Sequence, residues 1–399
     1  MTVRPRVLFL TQRLPYAPNR GDRIRAYHLL VAMKTFADVR VVALTHDSAE
    51  AEKAGALSGI ADGVWTAPVP RVRNRLRAVA ALAGRTPLTH VLLDSPHLSA
   101  AVDEACRGAR PDVVYAYCSG IAPVALRPPL TDVPLVADLV DIDSQKWRDL
   151  AKDAAPWLAA IYRREARVLG AFEEALILKA KSAFVVSERE RLAMTSAEAA
   201  GRLTVLPNGI DTDGFRPPAG VPRRDGAVVF TGVFDYAPNE AGAMWLVESV
   251  WPVVRQRVPH ATLTLAGANP TQRLRAAARQ DVSVTVTGTV PDIRPFLWGA
   301  SLAAAPLHVA RGLQNKVLEA LAAGLPCVVT PQVMDGLPAS SRAGCVSATD
   351  VDEFAEHLIE LLTEGAQARQ RRVEAADIDS LRWDTVLRPL RDHIERARH

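Results

Sequence analysis

One pattern constrains the fold of this chain more than any other, and it runs twice. Short β-branched apolar runs, each followed by a loop and a longer helix-compatible stretch, occur at 7–10, 39–44, 113–117, 135–139 and 183–186. The same pattern restarts at 227–231, 261–266, 282–287, 302–305 and 327–330. Strands alternating with helices make βαβ units, whose strands pair in parallel. Between the two series lies Pro207-Asn-Gly-Ile-Asp211 to Pro222, rich in the residues that punctuate structure, and it reads as a linker. The chain is therefore expected to be α/β, with two doubly wound domains at 1–205 and 206–380. A charged tail follows, helix-compatible after Asp379-Ser380 and limited by Pro389.

Composition removes several function classes. With 48 Lys+Arg against 44 Asp+Glu and a net charge of +4, the chain is too balanced for electrostatic nucleic-acid binding. Cys106, Cys118, Cys327 and Cys345 are too scattered for a zinc site and read as reduced, structural thiols. Charged residues interrupt every apolar window before it could span a bilayer, and the run after Arg6 reads as a strand rather than a signal segment. The expected location is cytoplasmic. Asp141-Ile-Asp143, Asp211-Thr-Asp213 and Asp377-Ile-Asp379 each form a D-x-D triplet, and three hits suggest chance. Two carboxylates at i,i+2 satisfy little of a divalent ion's coordination, so no metal is expected.

In doubly wound sheets ligands bind beyond the carboxyl ends of the strands. The first such loop brings Arg20, Gly21 and Asp22 to a helix start, followed by Arg23 and Arg25. An anion-binding turn and a solvated basic turn explain it equally well. The segment from Ala304 to Gly324 reads as strand end, Gly-containing loop and helix, and places Lys316 and Glu319 on one helical face. Free N–H groups there, with Gly312 and Lys316, suit a diphosphate, and Glu319 suits vicinal ribose hydroxyls. Taken alone, an ordinary i,i+3 surface pair is the simpler account of that spacing. His308, beside Arg311, is a candidate sugar or phosphate contact.

Two segments, Gln314-Asn-Lys-Val-Leu-Glu-Ala-Leu-Ala-Ala-Gly-Leu-Pro-Cys-Val-Val329 and Pro207-Asn-Gly-Ile-Asp211 with Phe215, resemble the donor-site helix and linker of the retaining glycosyltransferases of family 4. Phe230-Thr-Gly-Val-Phe-Asp-Tyr-Ala-Pro-Asn239 with Trp245, Asp138 to Trp147, Arg163-Arg-Glu165 and Ser187-Glu188 are similar to a bacterial branch associated with exopolysaccharide clusters. The resemblance implies a GT-B fold: two Rossmann-like domains facing across a cleft, the first for the acceptor, the second for the donor. It also implies that the tail 381–399 returns to the first domain. In this likeness Glu319 holds the ribose, and Lys316 with Gly312, Leu313, Gln314 and Asn315 holds the diphosphate. Gly288, Thr289 and Val290 frame the base, Gly232 and Asn239 line the donor site, and Gly21 lies near the transferred sugar. The chain departs from the family where Arg311 replaces a common Glu, and where Tyr236, Pro238 and Asn239 replace a basic loop. Arg311, Lys316 and Glu319 are accordingly the expected catalytic group.

The expected reaction moves a sugar from a nucleotide-diphosphate sugar to an acceptor hydroxyl, with retention and without a cofactor. A nucleotide-sugar isomerase or phosphorylase on the same fold, or a non-catalytic sugar-nucleotide binder, is the alternative. Arg20, Asp22, Arg25, Tyr117, Asp141 and Asp143 are expected on the acceptor side, toward a glycan, lipid-linked or small-molecule acceptor. The basic, apolar stretch 157–181 suits packing into the first domain better than transient contact with a membrane surface.

Overall fold

The computed structural model describes residues 4–16, 21–152, 154–310 and 313–399, with Gly21 and Asp22 described in backbone only. The chain divides into two compact units, Met1–Asn208 with Val386–His399, and Gly209–Thr385. The division falls just after Asn208 and again after Thr385, where the sequence pattern had suggested 205 and 380.

In the first unit β1 (Arg6–Thr11), β2 (Asp38–Thr45), β3 (Gly63–Pro68), β4 (Val113–Tyr117), β5 (Leu135–Val140), β6 (Ser182–Val185) and β7 (Leu203–Val205) form one sheet. Their order is β3-β2-β1-β4-β5-β6-β7, and every pairing is parallel. Central strands such as β4 are buried at every position, which is why they read as unbroken apolar runs. The second unit holds β8 (Ala227–Thr231), β9 (Thr262–Ala266), β10 (Val284–Val286), β11 (Leu302–Ala305), β12 (Cys327–Val329) and β13 (Cys345–Ser347). Here the order is β10-β9-β8-β11-β12-β13, again all parallel. The three strands that the apolar runs did not reveal, β3, β7 and β13, are all sheet edges. An edge strand has one paired side and partial cover, so it needs no continuous apolar run; β3 has only Ala67 buried.

Most of the expected linker belongs to the second unit. Ile210 N–H donates to Leu381 O at 2.8 Å, Asp211 caps a short helix through Gly214 N–H, and Asp213 pairs with Arg382. Leu381 lies in the second unit's core, so the part of the tail that returns to the first unit starts at Val386. Pro389 does not break that tail: it opens the Pro389–Arg398 helix, where a missing N–H costs nothing. His393 on it lies 3.0 Å from Ser182 Oγ and packs edge-on against Phe184.

The first unit is organised around a buried ion pair. Arg25 is 1 % exposed, and its Nε and Nη2 both donate to Asp138 Oδ2, at 3.2 and 2.9 Å. Tyr115 OH donates to the same oxygen at 2.9 Å, and Arg25 Nη1 reaches Pro207 O and Asn208 Oδ1. This network joins the first helix, β4, β5 and the end of the unit. Removing one partner of a buried pair strands the other without compensation, at about 3–5 kcal/mol. Asp138→Ala is therefore expected to lower the unfolding free energy of the first unit by about that amount, measured by chemical denaturation.

Candidate functional site

The strand order of the second sheet reverses between β8 and β11, which opens a crevice beyond their carboxyl ends. Three backbone approaches shape it. Gly232 N–H donates to Ala266 O at 3.1 Å, and Phe234 N–H to Ala268 O at 2.8 Å, tying the loop after β8 to the loop after β9. Gly267, at φ +150°, leaves no room for a side chain, because a Cβ there would lie 1.8 Å from Gly232 O. A Cβ on Gly242 would lie 2.5 Å from Pro306 O, so the helix after β8 sits against the end of β11. Gly267 N–H in turn donates to Thr287 Oγ1, whose hydroxyl donates to Gly288 O.

After β11 the chain enters the Asn315–Ala322 helix, which buries Val317, Leu318, Ala320 and Leu321. That stripe turns Lys316 and Glu319 toward the opposite, partly buried side. Lys316 Nζ donates to Asn239 Oδ1 at 2.6 Å and stands 5.1 Å from the centre of the Phe230 ring. Asn239 is itself held by donation from its Nδ2 to Val233 O at 2.9 Å. Glu319 accepts no side-chain hydrogen bond from any other described residue, and the Asn315 Oδ1 atom is buried without a partner among them. Burial lowers the Lys316 ammonium to about 8, against the opposing pull of Glu319. Burial likewise raises the Glu319 carboxyl to about 7, against Lys316. The helix start thus holds a cation and an under-bonded carboxylate, a set suited to an anionic group and to hydroxyl donors.

The structure brings together Gly232, Asn239, Leu313, Gln314, Asn315, Lys316 and Glu319 around the β8 and β11 ends. Gly288, Thr289 and Val290 follow β10 at the edge of the same sheet. His308 is exposed, and its ring packs edge-on against Trp245 at 4.8 Å. Arg311, Gly312 and Arg20 lie outside the described residues, as does the side chain of Asp22, while Gly21 is the first residue of the Gly21–Lys34 helix. Phe230 under the Lys316 ammonium, and the anchoring role of Asn239, were not legible in sequence, since neither contact is local.

In the first unit the expected acceptor residues divide. Arg25 is fully committed to the buried network above and is no surface contact. Tyr117 is 2 % exposed, its ring edge-on to Phe9, so it too is a core residue. Alternation along β4 explains this: Tyr115 and Tyr117 share the face of the sheet on which Phe9 lies. Asp143 remains near the strand ends, accepting from Ser119 Oγ at 2.7 Å in the loop after β4. Ile142 N–H, between Asp141 and Asp143, donates to Glu190. Glu173 joins this cluster by accepting from Ser144 N–H at 3.2 Å, and burial pushes its carboxyl to about 7. Its signal in sequence is an acid inside the buried stripe of the Pro156–Lys179 helix. The D-x-D aspartates find local partners instead of converging: Asp211 caps a helix and Asp377 Oδ1 accepts from Ser380 N–H. Among the described residues no cluster of His, Cys, Asp or Glu could hold a metal ion.

With this geometry in view, residues 225–364 match the family model described as Glycosyl transferases group 1. No curated protein matches the chain significantly in sequence. Among solved structures, Anabaena Alr3699/HepE in complex with UDP is similar at 16% identity and a TM-score of 0.66, covering 98% of this chain and 99% of that one. WaaG, a glycosyltransferase involved in lipopolysaccharide biosynthesis, is similar at 17% identity and a TM-score of 0.60, over 97% of this chain and 98% of that one. The catalytic domain of starch synthase IV from Arabidopsis thaliana, bound to ADP and acarbose, gives 11% identity and a TM-score of 0.60, over 99% and 100%. The chain has the GT-B fold.

The two shifted groups make a pH prediction. Because the folded carboxyl of Glu319 titrates near 7 and an unfolded one near 4.5, the unfolded state ionises first as pH rises. Stability is therefore lost between those values, by about 3 kcal/mol in total, and Lys316 changes it only above about 8. Urea unfolding of the wild type and Glu319→Gln from pH 4 to 8 should show the wild type losing about 3 kcal/mol more than the variant, because the loss from Glu173 is common to both.

Proposed function

We propose that the protein transfers a sugar from a nucleotide-diphosphate sugar to an acceptor hydroxyl, with retention of configuration and without a bound metal. The observation that carries this reading is the Lys316–Glu319 pair, partly buried at the switch point of a parallel sheet, its carboxylate without a hydrogen-bond partner among the described residues. The group 1 glycosyl transferase match over the same unit supports it, as do the UDP and UDP-glucose complexes of HepE among the structural neighbours.

In this reading Glu319 accepts from the vicinal ribose hydroxyls, while Lys316 and the N–H groups at the start of its helix carry the diphosphate. Gly232 lets the backbone approach the ligand, and Gly288 to Val290 border the base. Asn239 keeps the ammonium aimed, so that little reorganisation is needed as charge develops on the leaving phosphate. Arg311 and Gly312 complete the group in sequence. A phosphate oxygen of the leaving diphosphate takes the acceptor proton on the same face, so the protein supplies position and charge rather than a separate base. The first unit receives the acceptor, with Asp141 and Asp143 at its strand ends.

Calorimetric titration of uridine and UDP separates the two roles. Glu319→Ala should weaken both ligands by roughly 1–3 kcal/mol, because the ribose hydroxyls lose a charged acceptor. Lys316→Ala should weaken UDP far more than uridine, because its ammonium serves phosphate. Wild-type affinity in Glu319→Ala would remove the donor from this crevice. Donor turnover should also survive EDTA; loss of activity restored by magnesium or manganese would overturn the metal-independent part of the reading.

A further inference from the structure

The Arg71–Ala81 helix of the first unit leaves its apolar side uncovered. Val72, Leu76 and Val79 are 75 %, 72 % and 68 % exposed. At 3.6 residues per turn they fall within about 60° of one another, a continuous stripe over two turns. The only buried side chain of the helix is Asn74, on the opposite face, which donates to Leu92 O and Asp94 O at 3.1 and 2.7 Å. Arg77 pairs with Asp94, and Arg164 donates to Ala81 O and Gly84 O. Polar contacts therefore fasten this helix to the unit and hold its apolar stripe toward solvent.

The charges beside the stripe name the partner. Arg71 and Arg75 flank it on one side and Arg73 on the other, all exposed, and the helix contains no acidic residue. A narrow apolar stripe between cationic flanks is the pattern of a helix lying in the headgroup region of a bilayer, where methyl groups enter the acyl boundary and guanidinium groups meet phosphates. The helix that Arg164 ties to Ala81 O also carries an exposed aromatic: Trp157, 69 % exposed, is two turns before Arg164 on the same face. We propose that the Arg71–Ala81 helix docks the protein on an anionic phospholipid surface, through Val72, Leu76 and Val79 between Arg71, Arg73 and Arg75.

Co-sedimentation of the full chain with phosphatidylglycerol/phosphatidylcholine vesicles, and with phosphatidylcholine vesicles alone, tests this. The wild type should bind the anionic vesicles, weakly or not at all the zwitterionic ones, with binding that falls as salt rises. Leu76→Glu/Val79→Glu should lower the partition about ten-fold or more, and Arg73→Gln/Arg75→Gln should remove most of the salt dependence. These side chains are exposed, so both variants should keep the wild-type thermal midpoint and UDP titration. Adsorption requires no turnover, so this proposal and the donor-site reading fail separately. Wild type left in the supernatant with anionic vesicles, or a Leu76→Glu/Val79→Glu variant that binds as wild type does, would overturn it. So would a concentration-dependent dimer in sedimentation velocity, dissolved by Leu76→Glu and unaccompanied by lipid binding, which would assign the stripe to a second copy of the chain.

Discussion

Parallel strand pairing governs the rest of this structure. Strands that run the same way cannot be joined by a hairpin, so each connection must cross a face of the sheet, and both faces become covered. All strand carboxyl ends then point to one edge, the only place where loops from distant parts of the chain meet without breaking the core. In the second unit that edge gathers Gly232, Gly267, Gly288, Lys316 and Glu319, which the sequence spreads over most of the unit. The glycines make the gathering sterically feasible: Gly267 lies so close to Gly232 that any side chain would push two loops apart.

The chemistry of the site follows from placing charge where the fold excludes water. Lys316 and Glu319 are held by a helix whose other face is core, so neither can swing out freely. Burial works against both charges, and each partly compensates the other. A ligand that brings an anion to Lys316 and hydroxyl donors to Glu319 would relieve both costs at once. The first unit uses buried charge differently: Arg25 and Asp138 saturate each other and Tyr115, leaving no capacity for a ligand. One arrangement leaves hydrogen-bonding capacity open and the other closes it, although each sets a buried cation near a carboxylate.

The two basic, apolar helices of the first unit show why composition does not locate a surface. The Pro156–Lys179 helix has the longer apolar content, yet it buries Ala166, Leu169, Leu176 and Ile177, and even Glu165, which accepts from Leu88 and Thr89 N–H. The Arg71–Ala81 helix is shorter and more charged, and it keeps its valines and leucine exposed because Asn74 turns the polar side inward. Which side of an amphipathic helix meets the core depends on what the neighbouring elements offer, and here they offered the carbonyls of Leu92 and Asp94.

The sequence by itself determined the α/β class, ten of the strands and the division into two series, because a strand buried on both faces must be written as an apolar run. It also determined that Lys316 and Glu319 share a helix face, since that follows from helical period alone. Only the tertiary structure decided that the edge strands β3, β7 and β13 exist and that residues 209–222 fold into the second unit. It alone withdrew Arg25 and Tyr117 into the core and set Lys316 against Asn239 and Phe230. Those outcomes depend on contacts between residues far apart in the chain. Periodicity and propensity are local quantities, and no local quantity records which distant backbone carbonyl, carboxylate or ring a side chain will meet.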